Sequence, residues 1–159
     1  MDLVQKSNDL INKLDWAGYA QLADSASLEK FHEILIPGIQ TLAMATQADS
    51  VNLFGKYYKV EMLQNVTNDS FFVTIMNLVT ELSPEIKSAF ETIKVNNVGA
   101  VADGDSLVLV ITRAEILVQG QSIFKLNIAS CRNTDSGWKV ELSPMIDEVA
   151  MSMRQGLPH

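Results

Sequence analysis

Apolar residues recur at helical spacing through the first part of the chain and then, from about residue 94, at every second position. Leu3, Val4, Leu10, Ile11 and Leu14 form one stripe with Lys6, Asn8, Asp9 and Lys13 off it, which predicts an amphipathic helix. Asp15 is placed to cap a short second helix through "WAGYAQLA". The serines of "DSAS" are placed to cap a third, with Leu28, Phe31, Ile34 and Leu35 on one face and an interruption expected at Pro37-Gly38. A polar connection containing "QADS" follows, then "GKYYKVEMLQNV", still within the helical part. "SFFVTIMNLVTEL" is opened by the cap candidates Asn68, Asp69 and Ser70. Ser83-Pro84-Glu85 starts another helix: Ser caps, Pro is pre-set for the first helical position, and Glu favours the positive end. "SPMIDE" repeats that start near the C-terminus, with Ile146, Val149, Ala150 and Met153 sharing a face.

The alternating region reads as four strands joined by short polar turns, an antiparallel meander. On the second strand Val108, Val110, Thr112 and Ala114 form the expected core face. On the third, Phe124, Leu126, Ile128 and Ser130 do the same, and on the fourth Trp138, Val140 and Leu142 point inward with Lys139 and Glu141 outward. If the second and third strands bury these sets on one side, the loop around Gly120 has an odd number of residues and a two-residue turn is excluded. The preferred register sets Glu115 opposite Lys125 and Arg113 opposite Asn127, because opposite charges across strands are favourable and like charges are not. A two-residue turn at Asp103-Gly104 pairs Ala100 with Leu107 and Val98 with Leu109. These four join Ile111 and Ala129 on the back of the sheet, as candidates for a subunit interface or for a surface covered by the helical half.

Composition narrows the possible functions. The chain of 159 residues is 47% hydrophobic and 19% charged, an ordinary folded domain without a Gly/Ser-rich linker, and is read as one domain over 1–159. Its net charge of -7 and the lack of any Lys/Arg cluster disfavour nucleic acid and anionic membrane as partners. No uninterrupted apolar run reaches signal-peptide or membrane-spanning length, and Cys131 is the lone cysteine, so a cytoplasmic location is expected.

Little chemistry is visible. Two histidines and one cysteine make a structural metal unlikely, no cofactor-binding loop appears, and "VGAVADGDS" is a hairpin rather than a phosphate loop. Cys131 is read as a packing residue. Candidates for the lining of a pocket between sheet and helices are Thr112, Ser130, Tyr57, Tyr58 and His32, a set suited to orienting a small apolar ligand. No catalytic residue is assigned. An enzyme of the lyase or isomerase type would require Tyr57 or Tyr58 to converge with His32.

"VGAVADGDSLVLVITR", "VQGQSIFKLNIAS" and "SGWKVEL" together resemble the C-terminal sheet of the nuclear-transport-factor-2-like superfamily over about residues 95–142. The resemblance implies a curved antiparallel sheet wrapped round helices into a cone with a pocket, often dimerised through the sheet. No position matches the Asp/His pair that several enzymes of that superfamily use, so their catalysis does not carry over. The expectation is therefore an α+β domain with a helical N-terminal half, a four-stranded meander and a closing helix. It acts as a non-enzymatic homodimer that takes a small apolar ligand. The alternatives are an enzyme of the same fold, or an adaptor that binds another protein through the back of the sheet.

Overall fold

The structure is a computed structural model that describes residues 2–46, 49–53, 56–118 and 121–156, the side chains of 46 and 116–118 apart. Among the described residues the chain is α+β. Helices α1 (Asp2–Asn12), α2 (Trp16–Leu22) and α3 (Ser25–Thr46) come first, then a hairpin of β1 (Ser50–Leu53) and β2 (Lys56–Lys59). Helices α4 (Val60–Gln64), α5 (Asn68–Leu82) and α6 (Pro84–Thr92) follow. The main sheet comprises β3 (Lys94–Asp103), β4 (Leu107–Val118), β5 (Gln121–Thr134) and β6 (Gly137–Val140), antiparallel in that order, and α7 (Pro144–Gly156) closes the chain.

The helix starts follow their local chemistry. The Asp15 carboxylate accepts a hydrogen bond from Gly18 N at 2.9 Å, and the Ser83 hydroxyl accepts one from Ile86 N at 3.3 Å with Pro84 directly after it. Helix α5 is capped one residue earlier than expected, by Thr67, whose hydroxyl accepts from Ser70 N.

Helix α3 does not stop at Pro37-Gly38 but continues to Thr46. An interior proline costs about 3 kcal/mol, through a lost hydrogen bond and a clash with the preceding turn. Burying one Ile-sized side chain returns roughly 1.5–3 kcal/mol, and beyond the proline both Ile39 and Ala43 are buried. Packing therefore outweighs the local break. The β1–β2 hairpin also replaces helix in the part of the chain expected to be helical, with Val51 and Leu53 buried and Asn52 between them exposed.

The core has two compartments. The larger is helical, and Trp16, Tyr19, Phe31, Phe71, Phe72 and Phe90 pack in it edge to face or stacked. The smaller lies between α1 and the sheet and consists of Val4, Val110, Cys131 and Val140. Helix α1 thus lies against the inner face, and the small residues of β5 there, Ala129 and Cys131, leave it room.

Two registers differ from expectation. In β4–β5, Val110 stands opposite Ala129, Thr112 opposite Asn127 and Ala114 opposite Lys125, out to Val118 opposite Gln121. The odd-length loop is thereby overturned, because two residues separate the paired ends; that loop, at Gln119 and Gly120, lies outside the described residues. Opposed residues share a face, so Lys125, Asn127, Ala129 and Cys131 face inward, while Phe124, Leu126, Ile128 and Ser130 face outward. Glu115 faces Phe124 and Arg113 faces Leu126, in place of the expected Lys125 and Asn127.

In β3–β4 the loop has three residues, Gly104 to Ser106, with Gly104 at φ +66°. That loop sets Val101 opposite Leu109 and Ala100 opposite Val110, and a bulge between Asn97 and Gly99 shifts the ladder beyond them, where Asn97 faces Thr112. The expected pairs Ala100–Leu107 and Val98–Leu109 do not form. On β6, Val140 is buried, with Leu142 just after it, but Trp138, expected inward, is exposed.

Candidate functional site

The corrected register puts two apolar sets on one surface. From β4 come Leu107 and Leu109, half-buried, and Ile111; from β5 come Phe124, Leu126 and Ile128; from β3 comes Val101. Ile111 lies directly opposite Ile128. Exposure is 58% at Val101, 59% at Phe124, 68% at Leu126 and 60% at Ile128. Such values are ordinary for one stray side chain; here they belong to neighbouring positions of a ladder whose strands lie about 4.8 Å apart. The apolar area they present is on the order of 600 Å², at the upper end of the largest patch a monomer usually carries.

Arg113 and Glu115 stand on this same surface, and each has a local partner. The Arg113 guanidinium carbon lies 5.4 Å from the centre of the Phe124 ring, within cation–π range. The Ser122 hydroxyl donates to Glu115 Oε1 at 2.6 Å. Lys125, on the other face, binds Glu148 of α7 at 2.7 Å.

Of the six interface candidates, Leu107, Leu109 and Ile111 lie on the outer surface. Ala100 and Ala129 share the inner face with Val110, and Val98 is the extra residue at the bulge, 61% exposed.

The pocket candidates do not converge. Thr112 is buried on the inner face, where it borders a cavity of about 50 Å³ together with Asn8, Asn12, Tyr19 and Asn127. Its hydroxyl reaches the Asn127 carbonyl at 3.4 Å. That volume holds on the order of one or two water molecules. The Tyr19 oxygen accepts from Ser143 N at 3.1 Å, and burial pushes the phenol well above its ordinary value, so it stays protonated.

Ser130 is across the sheet, opposite Leu109. Tyr57 is exposed on β2, and Tyr58 packs against the helical core. His32 lies on α3 with its ring 4.3 Å from that of Phe71, and its Nδ1 is 2.9 Å from Asn68 Oδ1. None of Ser130, Tyr57, Tyr58 and His32 lines the cavity at Thr112.

Cys131 is buried beside Val4, and burial pushes its thiol up, which disfavours the nucleophilic thiolate. Among the described residues no group of three or more His, Cys, Asp or Glu is placed to hold a metal ion, and no helix is long and apolar enough to cross a membrane.

The signal for the outer surface was present in the sequence as the set Phe124, Leu126 and Ile128; what was missed is the side to which it points. Comparison of the chain with protein-family models, with curated proteins and with solved structures finds no match.

Proposed function

We propose that the chain is a non-catalytic binding domain that pairs with a second copy of itself through the outer face of its main sheet. The observation that carries this reading is the apolar outer surface on which Phe124, Leu126 and Ile128 of β5 and Val101 of β3 are more than half exposed, with the less exposed Leu109 and Ile111 of β4 between them. The apolar area approaches the roughly 800 Å² per partner of a standard stable interface. The face also carries one charge of each sign, Arg113 and Glu115, two residues apart on β4. A two-fold axis passing between them sets Arg113 of each copy against Glu115 of the other, which is self-complementary as an isologous contact requires.

The proposal extends to ancestry in the nuclear-transport-factor-2-like superfamily and to a cytoplasmic location. Helix α1 packed inside a four-stranded antiparallel sheet with a bulged first strand supports the former. A single buried thiol that needs no partner supports the latter. The space at Thr112 favours water over an organic ligand, and His32 contacts Asn68 and Phe71, which lend the lyase or isomerase reading no support.

Charge exchange tests the pairing. Arg113→Glu and Glu115→Arg each weaken self-association, and the double exchange restores it. A double variant as weak as either single one would overturn the two-fold arrangement.

A further inference from the structure

A second concavity lies on the helical side of the molecule and owes nothing to the sheet. It measures about 470 Å³, and elements α3, β1, α5, α6 and α7 all border it. Leu53 and Val79 lining it are buried; Leu42, Ile86, Val149 and Met153 are half-buried, so part of each faces the cleft.

What separates this cleft from the others is charge. Among the described residues that line it none is ionisable; the polar ones are Asn52, Ser83 and Ser152. Three other open clefts of similar size carry ionisable groups: Asp24 and Lys139 in one, Lys59 and Glu61 in the second, Lys30 and Asp147 in the third. In a chain that is 19% charged, an apolar concavity free of ionisable side chains disfavours any occupant bearing a net charge, which would lose hydration without gaining a counter-charge. Its size lies within the range of pockets that hold drug-sized molecules, and such pockets combine apolar walls with a few neutral polar groups. The Met153 thioether on an unbranched, rotatable side chain adapts to irregular shapes. The Ser83 hydroxyl accepts from Ile86 N and keeps its own proton to donate, so Ser83 and Ser152 supply neutral hydrogen-bonding groups at the rim.

We propose that this cleft is a binding site for an uncharged, largely apolar small molecule with at most one or two neutral hydrogen-bonding groups. The site is independent of self-association, because none of the described residues lining it belongs to the main sheet.

The test is a fluorescence titration of the full chain with N-phenyl-1-naphthylamine, a probe uncharged at neutral pH. Saturable binding with one probe per chain is expected. Ser152→Trp on α7 and Val79→Phe on α5, which fill the cleft from two different helices, should each lower the affinity about tenfold or more with the far-ultraviolet circular dichroism unchanged. Leu126→Asp, on the sheet, should leave it intact. The anionic analogue anilinonaphthalene sulfonate should bind the Leu126→Asp variant about tenfold more weakly than the neutral probe does. The proposal is overturned if no saturable binding is seen up to the solubility limit of the probe. It is equally overturned if binding survives in both cleft variants, or disappears with Leu126→Asp.

Discussion

The guanidinium of Arg113 lies 5.4 Å from the centre of the Phe124 ring, on the outer face of the sheet and diagonal to it across β4 and β5. The contact exists because β5 turns Phe124 outward, and it explains how a cation stands in the most apolar stretch of the chain. An exposed cation–π contact contributes roughly 0.5–1 kcal/mol. A double-mutant cycle of Arg113→Ala and Phe124→Ala, run by urea unfolding in a Val101→Asp background, which is remote from Arg113 on the same face, so that association does not enter, should return a coupling of about that size. A coupling indistinguishable from zero would show that the two side chains do not interact in solution.

Pro37 is exposed in the middle of α3, where it removes a backbone donor and contributes no core contact. Pro37→Ala should raise unfolding stability by roughly 1–3 kcal/mol, since alanine restores the donor at a position where proline is unfavourable. Loss of stability on this change, measured by chemical denaturation, would mean that the helix needs the bend.

Asp147, in the first turn of α7, is half-buried. Burial pushes its carboxyl above the ordinary value, Lys30 works against that, and Glu141 adds to it. The folded chain therefore holds the proton more tightly than the unfolded chain. The stabilising contribution is complete below the ordinary carboxylate range and is lost as pH rises through the folded value. Asp147→Asn carries no charge to bury, so it should be more stable than the native chain at about pH 7, with the difference shrinking as pH falls toward about 4. Thermal unfolding at the two pH values checks this; an Asn variant less stable at neutral pH would contradict it.

How far the sequence reaches is decided by whether a signal is local. The start at Ser83 was legible because cap, proline and first-turn acid are consecutive, and that at Asp15 because the cap stands directly before the helix it caps. The period change near residue 94 was legible because ten or more residues sustain it in β3, β4 and β5. Four residues, Ser50 to Leu53, were too few to announce β1.

The side to which β5 turns was not legible, because the rule that the most apolar set faces the core assumes that only one side is apolar. The inner set of β5 finds its partners far away in the chain. Lys125 meets Glu148, Cys131 meets Val4, and Asn127 borders the cavity beside Asn8. At Asn127 and Cys131 those partners cover a weakly apolar face, at Lys125 they give it an exposed ion pair, and only the assembled fold reveals them. The site was consequently visible in part: Leu107, Leu109 and Ile111 were identified from β4, while Phe124, Leu126 and Ile128, which complete it, were assigned to the core.

Sedimentation equilibrium of the native chain beside Leu126→Asp tests the central claim most directly, since Leu126 is the most exposed of the four side chains that define the surface and touches no core. At tens of micromolar the native chain should sediment at twice its 17.5 kDa monomer mass and the Leu126→Asp variant at the monomer mass. A native chain that is monomeric at that concentration, or a variant that dimerises as tightly as the native chain, would contradict it.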